Sequence, residues 1–180
     1  MASQENLYIA KGSEPVRQEE LSNILNRHLD SFWQRLLPFT HKNHIRINDI
    51  LFVLHPFWFV KVKTYADRIP FPPKIRYFCI YVDAATGECG LTDRMPEFEK
   101  KESSEQELRP VTVKEGDLKG ITDDLLESLI LRRYLLKRPK IEIDRQKMIC
   151  LPYYYVQATK KDRTNCSFVV NGLSGEIKRK

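Results

Sequence analysis

Apolar residues near the start of the chain recur at helical spacing and predict an amphipathic helix. Between Val16 and Leu37 they form one stripe, at Leu21, Ile24, Leu25, Leu29, Phe32, Trp33 and Leu36. Pro15 suits the first helical position, and Pro38 ends the segment. A second helix is predicted to begin at Thr122 as its N-cap and to stop before Pro139, with acidic residues at its start and basic residues near its end.

Each predicted helix is followed by a segment rich in β-branched and aromatic residues, a composition typical of strands. In the first half, residues 45–66 predict strands on both sides of Pro56, and residues 67–74 predict a proline-rich connection. Residues 76–84 predict a further strand, which a turn from Asp83 to Glu88 closes. Residues 95–118 are charged and polar without an apolar period, so they predict a linker.

The two halves share an order of features that predicts the same structure twice. Ile45 and Ile141 each begin an Ile-x-Ile motif, and a proline follows eleven residues later in both halves. Three aromatic residues and a valine come next in each half. A second strand then ends in a turn of related sequence, Thr86-Gly87-Glu88 or Ser174-Gly175-Glu176.

We therefore expect an α+β fold of two tandem helix-plus-antiparallel-strand repeats in pseudo-twofold relation, with the helices packed on antiparallel sheet. Whether the repeats form one sheet or two stays open at this point. The predicted boundaries are an N-terminal tail at 1–14, a first repeat at 15–94, a polar linker at 95–120 and a second repeat at 121–180.

The composition is that of a folded globular protein. Hydrophobic residues make up 42% and charged residues 30% of the chain, a balance that argues against disorder. The net charge of +6 arises from 30 basic and 24 acidic residues, so acidic partners are favoured but nucleic acid is not required. The chain shows no secretory signal pattern and no apolar run of about 18 residues, so we expect a cytoplasmic location and no membrane contact.

Two short segments resemble a known family. The strand and turn from Ile80 to Glu88 and the similar stretch from Phe168 to Glu176 resemble the strand-turn signature of PepSY-like domains. Those domains are small α+β units in which a helix packs on antiparallel strands and a V-D-x-x-T-G-E-like turn closes a hairpin. The resemblance covers nine residues in each half. It implies this fold and a binding or regulatory role in place of catalysis.

The aromatic segments carry the candidate binding residues. Because side chains alternate across a strand, Trp58, Val60 and Val62 are expected to face the core, as are Tyr154 and Val156 in the second half. The opposite face carries the candidate partner-binding residues, which are Phe57, Phe59, Lys61, Lys63, Tyr65, Tyr153, Tyr155 and Lys161. Such a face can contact an apolar protein partner, can stack bases while lysines meet phosphates, or can be covered by the same chain.

Residues with catalytic or metal-binding chemistry form no recognisable motif. His41 and His44 have a ligand-like spacing but no further ligand nearby in sequence. The four cysteines form no CxxC pair and are expected to be reduced and mostly buried. We interpret His55 as a packing residue and Asp83 as a turn residue. No nucleophile elbow, P-loop or dinucleotide fingerprint occurs, so we expect no cofactor and no bound metal.

The sequence as a whole predicts a non-enzymatic protein-binding or regulatory protein that uses the aromatic and basic strand face. Two alternatives stay open. The first is a nucleic-acid-binding protein that uses the same face, and the second is a small enzyme with an unrecognised site. An exposed edge strand in either repeat would also allow a homodimer.

Overall fold

The chain is mainly sheet in a computed structural model, which describes residues 7–12, 18–29, 45–68, 70–101, 108–129, 139–160 and 164–179. Strands account for 61% and helices for 19% of the described residues. The strands are β1 (Leu7–Ala10), β2 (Ile45–Arg68), β3 (Phe71–Asp83), β4 (Cys89–Thr92), β5 (Phe98–Lys101), β6 (Lys140–Lys160), β7 (Asn165–Asn171) and β8 (Ile177–Arg179). The helices are α1 (Gln18–Leu29) and α2 (Leu118–Leu129), the latter preceded by a 3-10 turn (Glu115–Asp117).

Hydrogen bonds join the strands into one mixed eight-stranded sheet. The order is β4-β3-β2-β6-β1-β5, with β7 paired to β6 and β8 paired to β7. Five strand pairs among the described residues are antiparallel, but β1 runs parallel to β6 where Ile9 meets Cys150. The predicted fold class is therefore wrong. The described chain is a large mixed sheet with two helices, not two helix-plus-strand repeats with antiparallel sheet.

The unexpected length of two strands explains this difference. β2 has 24 residues and β6 has 21, against about 5–6 for an average strand, and each continues through its proline. A strand of this length extends well past its hairpin partner, so its remaining residues pair with other parts of the chain. The prediction of separate strands on either side of Pro56 is therefore also wrong.

Pro56 and Pro152 fit inside these long strands because each lies where its hairpin partner ends. The Ala84 N–H donates to the Pro56 carbonyl at 3.0 Å, and the Gly172 N–H donates to the Pro152 carbonyl at 2.8 Å. Pro56 has no N–H to return, and the Ala84 carbonyl instead accepts the N–H groups of residues 112 and 113 at 2.7 and 2.9 Å. The Ala84 carbonyl therefore has hydrogen-bond donors although Pro56 cannot supply one.

The chain divides into two compact units, and each takes residues from both halves of the sequence. β2 and β6 are each divided between the units, before His55 and before Leu151. Unit 1 comprises Met1–Lys11, His55–Ser103 and Arg109–Cys150. Unit 2 comprises Gly12–Leu54, Ser104–Leu108 and Leu151–Lys180.

The core of unit 1 lies between helix α2 and the β2–β3 hairpin. Its buried cluster consists of Val60, Val62, Ile80, Val82, Val113, Leu118 and Leu126. Trp58 packs against this cluster, and its indole N–H donates to the Val113 carbonyl at 3.0 Å. The prediction that Trp58, Val60 and Val62 face the core is confirmed.

Strands β1 and β5 also belong to unit 1, and they come from segments predicted as tail and linker. β1 pairs with β5 from Leu7↔Lys101 to Ala10↔Phe98. The Lys147 ammonium on β6 lies 3.5 Å from the ring centroid of Tyr8 and 4.0 Å from that of Phe98. This cation–π contact holds both short strands beside β6.

The core of unit 2 lies between helix α1 and the β6–β7 hairpin. Its buried cluster consists of Leu21, Leu25, Tyr154, Val156, Ala158, Cys166, Phe168 and Val170. Phe52 packs against this cluster with its ring centroid 5.2 Å from that of Tyr154. The prediction that Tyr154 and Val156 face the core is confirmed.

The helices differ from their predicted bounds. The first helix is confirmed from Gln18 to Leu29, and residues 30–37 lie outside the described residues. The second begins at Leu118, so Thr122 lies inside it rather than at its N-cap, and the Thr122 hydroxyl donates to the Leu118 carbonyl at 2.8 Å. In the described part of the chain, neither helix is long and apolar enough to cross a bilayer.

The two hairpin turns share one hydrogen-bond pattern, as their sequences predict. The Asp83 carbonyl accepts from Gly87, and the Asn171 carbonyl accepts from Gly175, both at 2.8 Å. In each turn the side-chain oxygen of the first residue also accepts two backbone N–H groups. Both glycines have positive φ, 80° and 67°, which a residue with a side chain rarely adopts. The turn similarity is therefore real although the predicted repeat fold is not.

Gly172→Ala is expected to lower the free energy of unfolding by about 1–3 kcal/mol. A Cβ there would lie 2.8 Å from the Tyr154 ring and 2.9 Å from Pro152, and both residues are buried. Urea unfolding would measure the change. Gly120→Ala is the matched control: its Cβ meets nothing within 4 Å, and removal of a helical glycine should stabilise by up to about 1 kcal/mol. Equal shifts of the two variants in one direction would contradict the crowding at Gly172.

Candidate functional site

The predicted partner-binding residues of the first aromatic segment share the face of unit 1 that lies opposite helix α2. The register of β2 and β3 pairs Lys61 with Cys79, Lys63 with Tyr77, and Tyr65 with Ile75. Directly opposite residues on neighbouring strands lie on one face. We call the surface formed by Lys61, Lys63, Tyr65, Ile75 and Tyr77 the outer face.

Phe57 and Phe59 lie at the other end of this face and are buried, with 8% and 5% of their surface exposed. The Phe57 ring stacks on His55 with centroids 4.9 Å apart, and it meets the edge of Tyr81 at 6.3 Å. Both predicted binding residues are therefore buried, and Phe57 packs against residues of unit 1. Neither side chain belongs to the exposed part of this face.

The exposed end of the outer face is aromatic and apolar. Tyr77 exposes 55% and Ile75 exposes 46% of its surface, and Phe71 further along β3 is more exposed still. Neighbouring large apolar side chains open to solvent on one strand are a feature of interaction surfaces. The prediction did not include the β3 residues, although the register of the hairpin places them beside Lys63 and Tyr65.

The lysines of the outer face are held by aromatic rings and by carboxylates. The Lys61 ammonium lies 4.8 Å from the Tyr77 ring centroid and 3.3 Å from Asp144 Oδ2 on β6. The Lys63 ammonium lies 4.5 Å from the Tyr65 ring centroid. The hydrogen bond with Tyr65, together with the nearby Tyr77 and Glu142, raises the pKa of Lys63 despite some desolvation. The positive charge of both lysines is thus partly balanced within the surface.

The second aromatic segment belongs to unit 2. Tyr153 and Tyr155 are half-buried on β6, opposite Asn171 and Val169 of β7. The Asn171 amide donates to the Tyr153 hydroxyl at 3.3 Å. The remaining predicted residue, Lys161, lies outside the described residues.

The structure also brings together a buried polar cluster that the sequence analysis missed. His55 Nε2 lies 2.8 Å from Asp83 Oδ1, and Arg109 Nη1 lies 3.4 Å from His55 Nδ1. The side chains of His55 and Asp83 expose only 5% and 12% of their surface. The same Asp83 oxygen accepts the N–H groups of Ala85 and Thr86 at 2.8 and 3.1 Å.

Hydrogen bonding keeps the Asp83 carboxylate charged. Desolvation by burial tends to raise its pKa, but the hydrogen bonds from His55, Ala85 and Thr86 outweigh desolvation, and the pKa of Asp83 lies below its ordinary value. Both ring nitrogens of His55 have neighbours within the cluster, so we interpret the pair as a structural contact.

One sequence signal could have revealed this cluster. The positions equivalent to His55 and Asp83 in the second half are Leu151 and Asn171, and the second turn makes the same backbone hydrogen bonds without a charged pair. The ionisable residues of the first half are therefore not required by the turn itself. Because His55 and Asp83 are both replaced by uncharged residues in the second half, the comparison of the two halves indicates that they are neighbours.

The cysteines are poorly suited to nucleophilic chemistry. Cys150 and Cys166 are buried, and Cys79 and Cys89 are half-buried. Desolvation raises the pKa of Cys79 and of Cys89, and it raises the pKa of Cys150 to about 11. A raised pKa disfavours the reactive thiolate.

Metal ligands are not clustered in the part of the chain that the structure describes. No group of three or more His, Cys, Asp or Glu residues there could hold an ion. His41 and His44, which the sequence analysis considered as ligands, lie outside the described residues.

Comparisons of the chain with protein-family models, with curated proteins and with solved structures found no match. The resemblance to PepSY-like domains stays a prediction from two strand-turn segments. Evidence on function comes from the geometry of the chain itself.

Proposed function

We propose that the protein is a non-enzymatic binding or regulatory protein whose outer face contacts another protein. The observation that supports this most directly is the exposure of Tyr77 and Ile75 beside Tyr65 on neighbouring strands. Aromatic side chains give a partner a large contact area with little loss of conformational entropy. The cytoplasmic location stays a prediction.

The charge of the outer face favours a protein partner over nucleic acid. Binding to nucleic acid gains free energy when cationic side chains neutralise phosphates and the counterions of the nucleic acid are released. Lys61 already lies against Asp144, and Lys63 has Glu142 nearby. A face with lysines balanced in this way suits a protein partner that offers both apolar and charged groups.

A photo-crosslinking residue in place of Tyr77 is expected to capture one discrete protein partner in cells. The same residue in place of the exposed Leu173, on the second turn in unit 2, is the control and should not capture that protein. Purified chain with Ile75→Ser should bind the captured partner roughly 10-fold or more weakly, an effect of the size seen at hot spots. Because Ile75 is exposed, thermal unfolding should change little.

Unchanged affinity of the Ile75→Ser and Tyr77→Ser variants would overturn the proposal. Retention of the wild-type chain on single-stranded RNA or DNA, with affinity that falls steeply as salt increases, would instead support the nucleic-acid alternative. Both measurements use the 180-residue chain.

A further inference from the structure

We infer that the edge of β3 beside the outer face receives an extended peptide segment, which adds a strand to the sheet and has acidic and apolar residues in alternation. This inference rests on the proposed function and states how the partner binds and what its chemistry is. Three features of the segment from Lys74 to Phe78 support it: an edge that no strand among the described residues pairs with, outward backbone groups, and two chemically distinct side-chain faces.

The first feature is the open edge. β4 pairs with β3 only from Cys79 to Val82. Among the strands that the structure describes, none pairs with the rest of β3 on that side. Ile75 and Tyr77 on one face of this part of β3 and Arg76 on the other are exposed, so neither face is covered at these positions.

The second feature is the direction of the backbone groups. In an antiparallel strand the N–H and C=O groups of successive residues point alternately to the two neighbouring strands. The Asp83 N–H donates on the β4 side, to Glu88, and the Ala84 N–H donates on the β2 side, to Pro56. Since the register of β2 and β3 is unbroken from Asp83 to Lys74, the backbone groups of Tyr77 and Ile75 point away from β2. Each offers one donor and one acceptor to an added strand.

The third feature is the alternation of side chains. Lys74 and Arg76 lie on one face of β3, and Ile75 and Tyr77 lie on the other. Residues directly opposite on a neighbouring strand interact on the same face, and like charges there are destabilising. A matching strand therefore carries acidic residues opposite Lys74 and Arg76 and apolar residues opposite Ile75 and Tyr77.

The same rule disfavours a second copy of this chain as the occupant. An antiparallel pair of two β3 edges centred on Ile75 would place Lys74 of one copy opposite Arg76 of the other. The homodimer predicted from the sequence is therefore the less favoured occupant of this edge. The added strand is also short, because Pro72, Pro73 and the register shift opposite Ala66–Arg68 end the regular edge.

A synthetic seven-residue peptide of alternating Glu and Val, with capped ends, tests the inference on the 180-residue chain. Fluorescence anisotropy should show binding at least about 10-fold tighter than for the peptide in which Lys replaces Glu. A peptide of the same composition with its Glu residues grouped together is the control for net charge and should bind as weakly as the Lys peptide.

Two further changes separate strand addition from other modes of binding. N-methylation of alternate peptide residues along one edge removes the backbone donors that an added strand needs, and it should abolish binding without altering the protein. The double variant Lys74→Glu, Arg76→Glu should reverse the preference, so that the Lys peptide binds more tightly than the Glu peptide.

Each outcome decides between the proposals. Equal binding of the N-methylated and unmethylated peptides, or an unchanged preference in the double variant, would overturn strand addition. If strand addition is overturned in this way but the partner captured at residue 77 binds the Ile75→Ser variant more weakly than wild type, the proposed function is kept and only the strand-addition mode is rejected. Sedimentation of the wild-type chain as a dimer that Ile75→Pro dissociates would assign the edge to a second copy and overturn the inference.

Discussion

Asp83→Ala is expected to lower the free energy of unfolding by about 3 kcal/mol. The substitution removes the carboxylate that His55 meets at 2.8 Å, and it leaves the N–H groups of Ala85 and Thr86 without their side-chain acceptor. A polar group left unpaired in a buried site costs more than the net value of the original hydrogen bond. Equilibrium unfolding in urea at neutral pH would measure the loss.

The second half of the chain supplies the matched control. His55→Leu combined with Asp83→Asn recreates the pair Leu151 and Asn171, whose turn keeps the same backbone hydrogen bonds. This double variant should recover most of the stability lost in Asp83→Ala. If the double variant is as unstable as Asp83→Ala, the lost free energy of unfolding comes from the His55–Asp83 pair and not from the hydrogen bonds of the turn.

The contribution of Asp83 should also depend on pH. Its pKa is lower in the folded chain, so its contribution is complete above the unfolded value of about 3.9 and is lost as pH falls towards the folded value. The stability difference between wild type and Asp83→Asn should therefore be constant near neutral pH and shrink below about pH 4. Urea unfolding of both chains across that range would measure it. A difference that grows on acidification would contradict the lowered pKa.

Division of the chain between Ser104 and Glu105 is expected to leave both fragments unfolded. The core of unit 1 joins Val60 and Ile80 to Leu118 and Leu126, which lie on the other side of the division. The core of unit 2 likewise joins Leu21 and Leu25 to residues beyond 150. Each buried Leu or Val contributes about 1.5–3 kcal/mol, so either fragment loses more than a marginally stable domain can tolerate. Far-UV circular dichroism and amide dispersion in NMR spectra would show the loss.

Cleavage after folding tests whether the loss of structure is caused by the missing core residues or by the break in the chain. With a protease site inserted at the same position, the cut but undissociated protein should keep its dispersed spectrum, and an equimolar mixture of the two fragments should regain it. A cooperative unfolding transition in either isolated fragment would contradict the shared cores.

The sequence predicted the local structure better than the topology. Helical spacing located Leu21 and Leu25 correctly, and turn chemistry predicted the paired hairpins. Alternation predicted the buried side chains because burial on one face of a strand has a period of two. The pairing between distant strands has no such local period, and a proline ordinarily marks the end of a strand, so the continuity of β2 through Pro56 was not predicted.

The candidate surface was predicted in part. Lys61, Lys63 and Tyr65 are on the outer face, but the same alternation cannot distinguish them from the buried Phe57 and Phe59 on that face. Burial there depends on neighbours that approach from elsewhere in the chain. The cluster of His55 with Asp83 and Arg109 was missed for the same reason, since its members are far apart in sequence.

The separation along the sequence of the residues that form the unit 2 core affects how the protein is made. Ile177 packs against the same cluster as Leu25 of helix α1 but is translated about 150 residues after it. At about 5–20 residues per second, the apolar stripe of α1 stays uncovered for roughly 8–30 s. During that interval the nascent chain presents a surface for chaperones, and unit 2 acquires its core only after strands β6 to β8 have been translated.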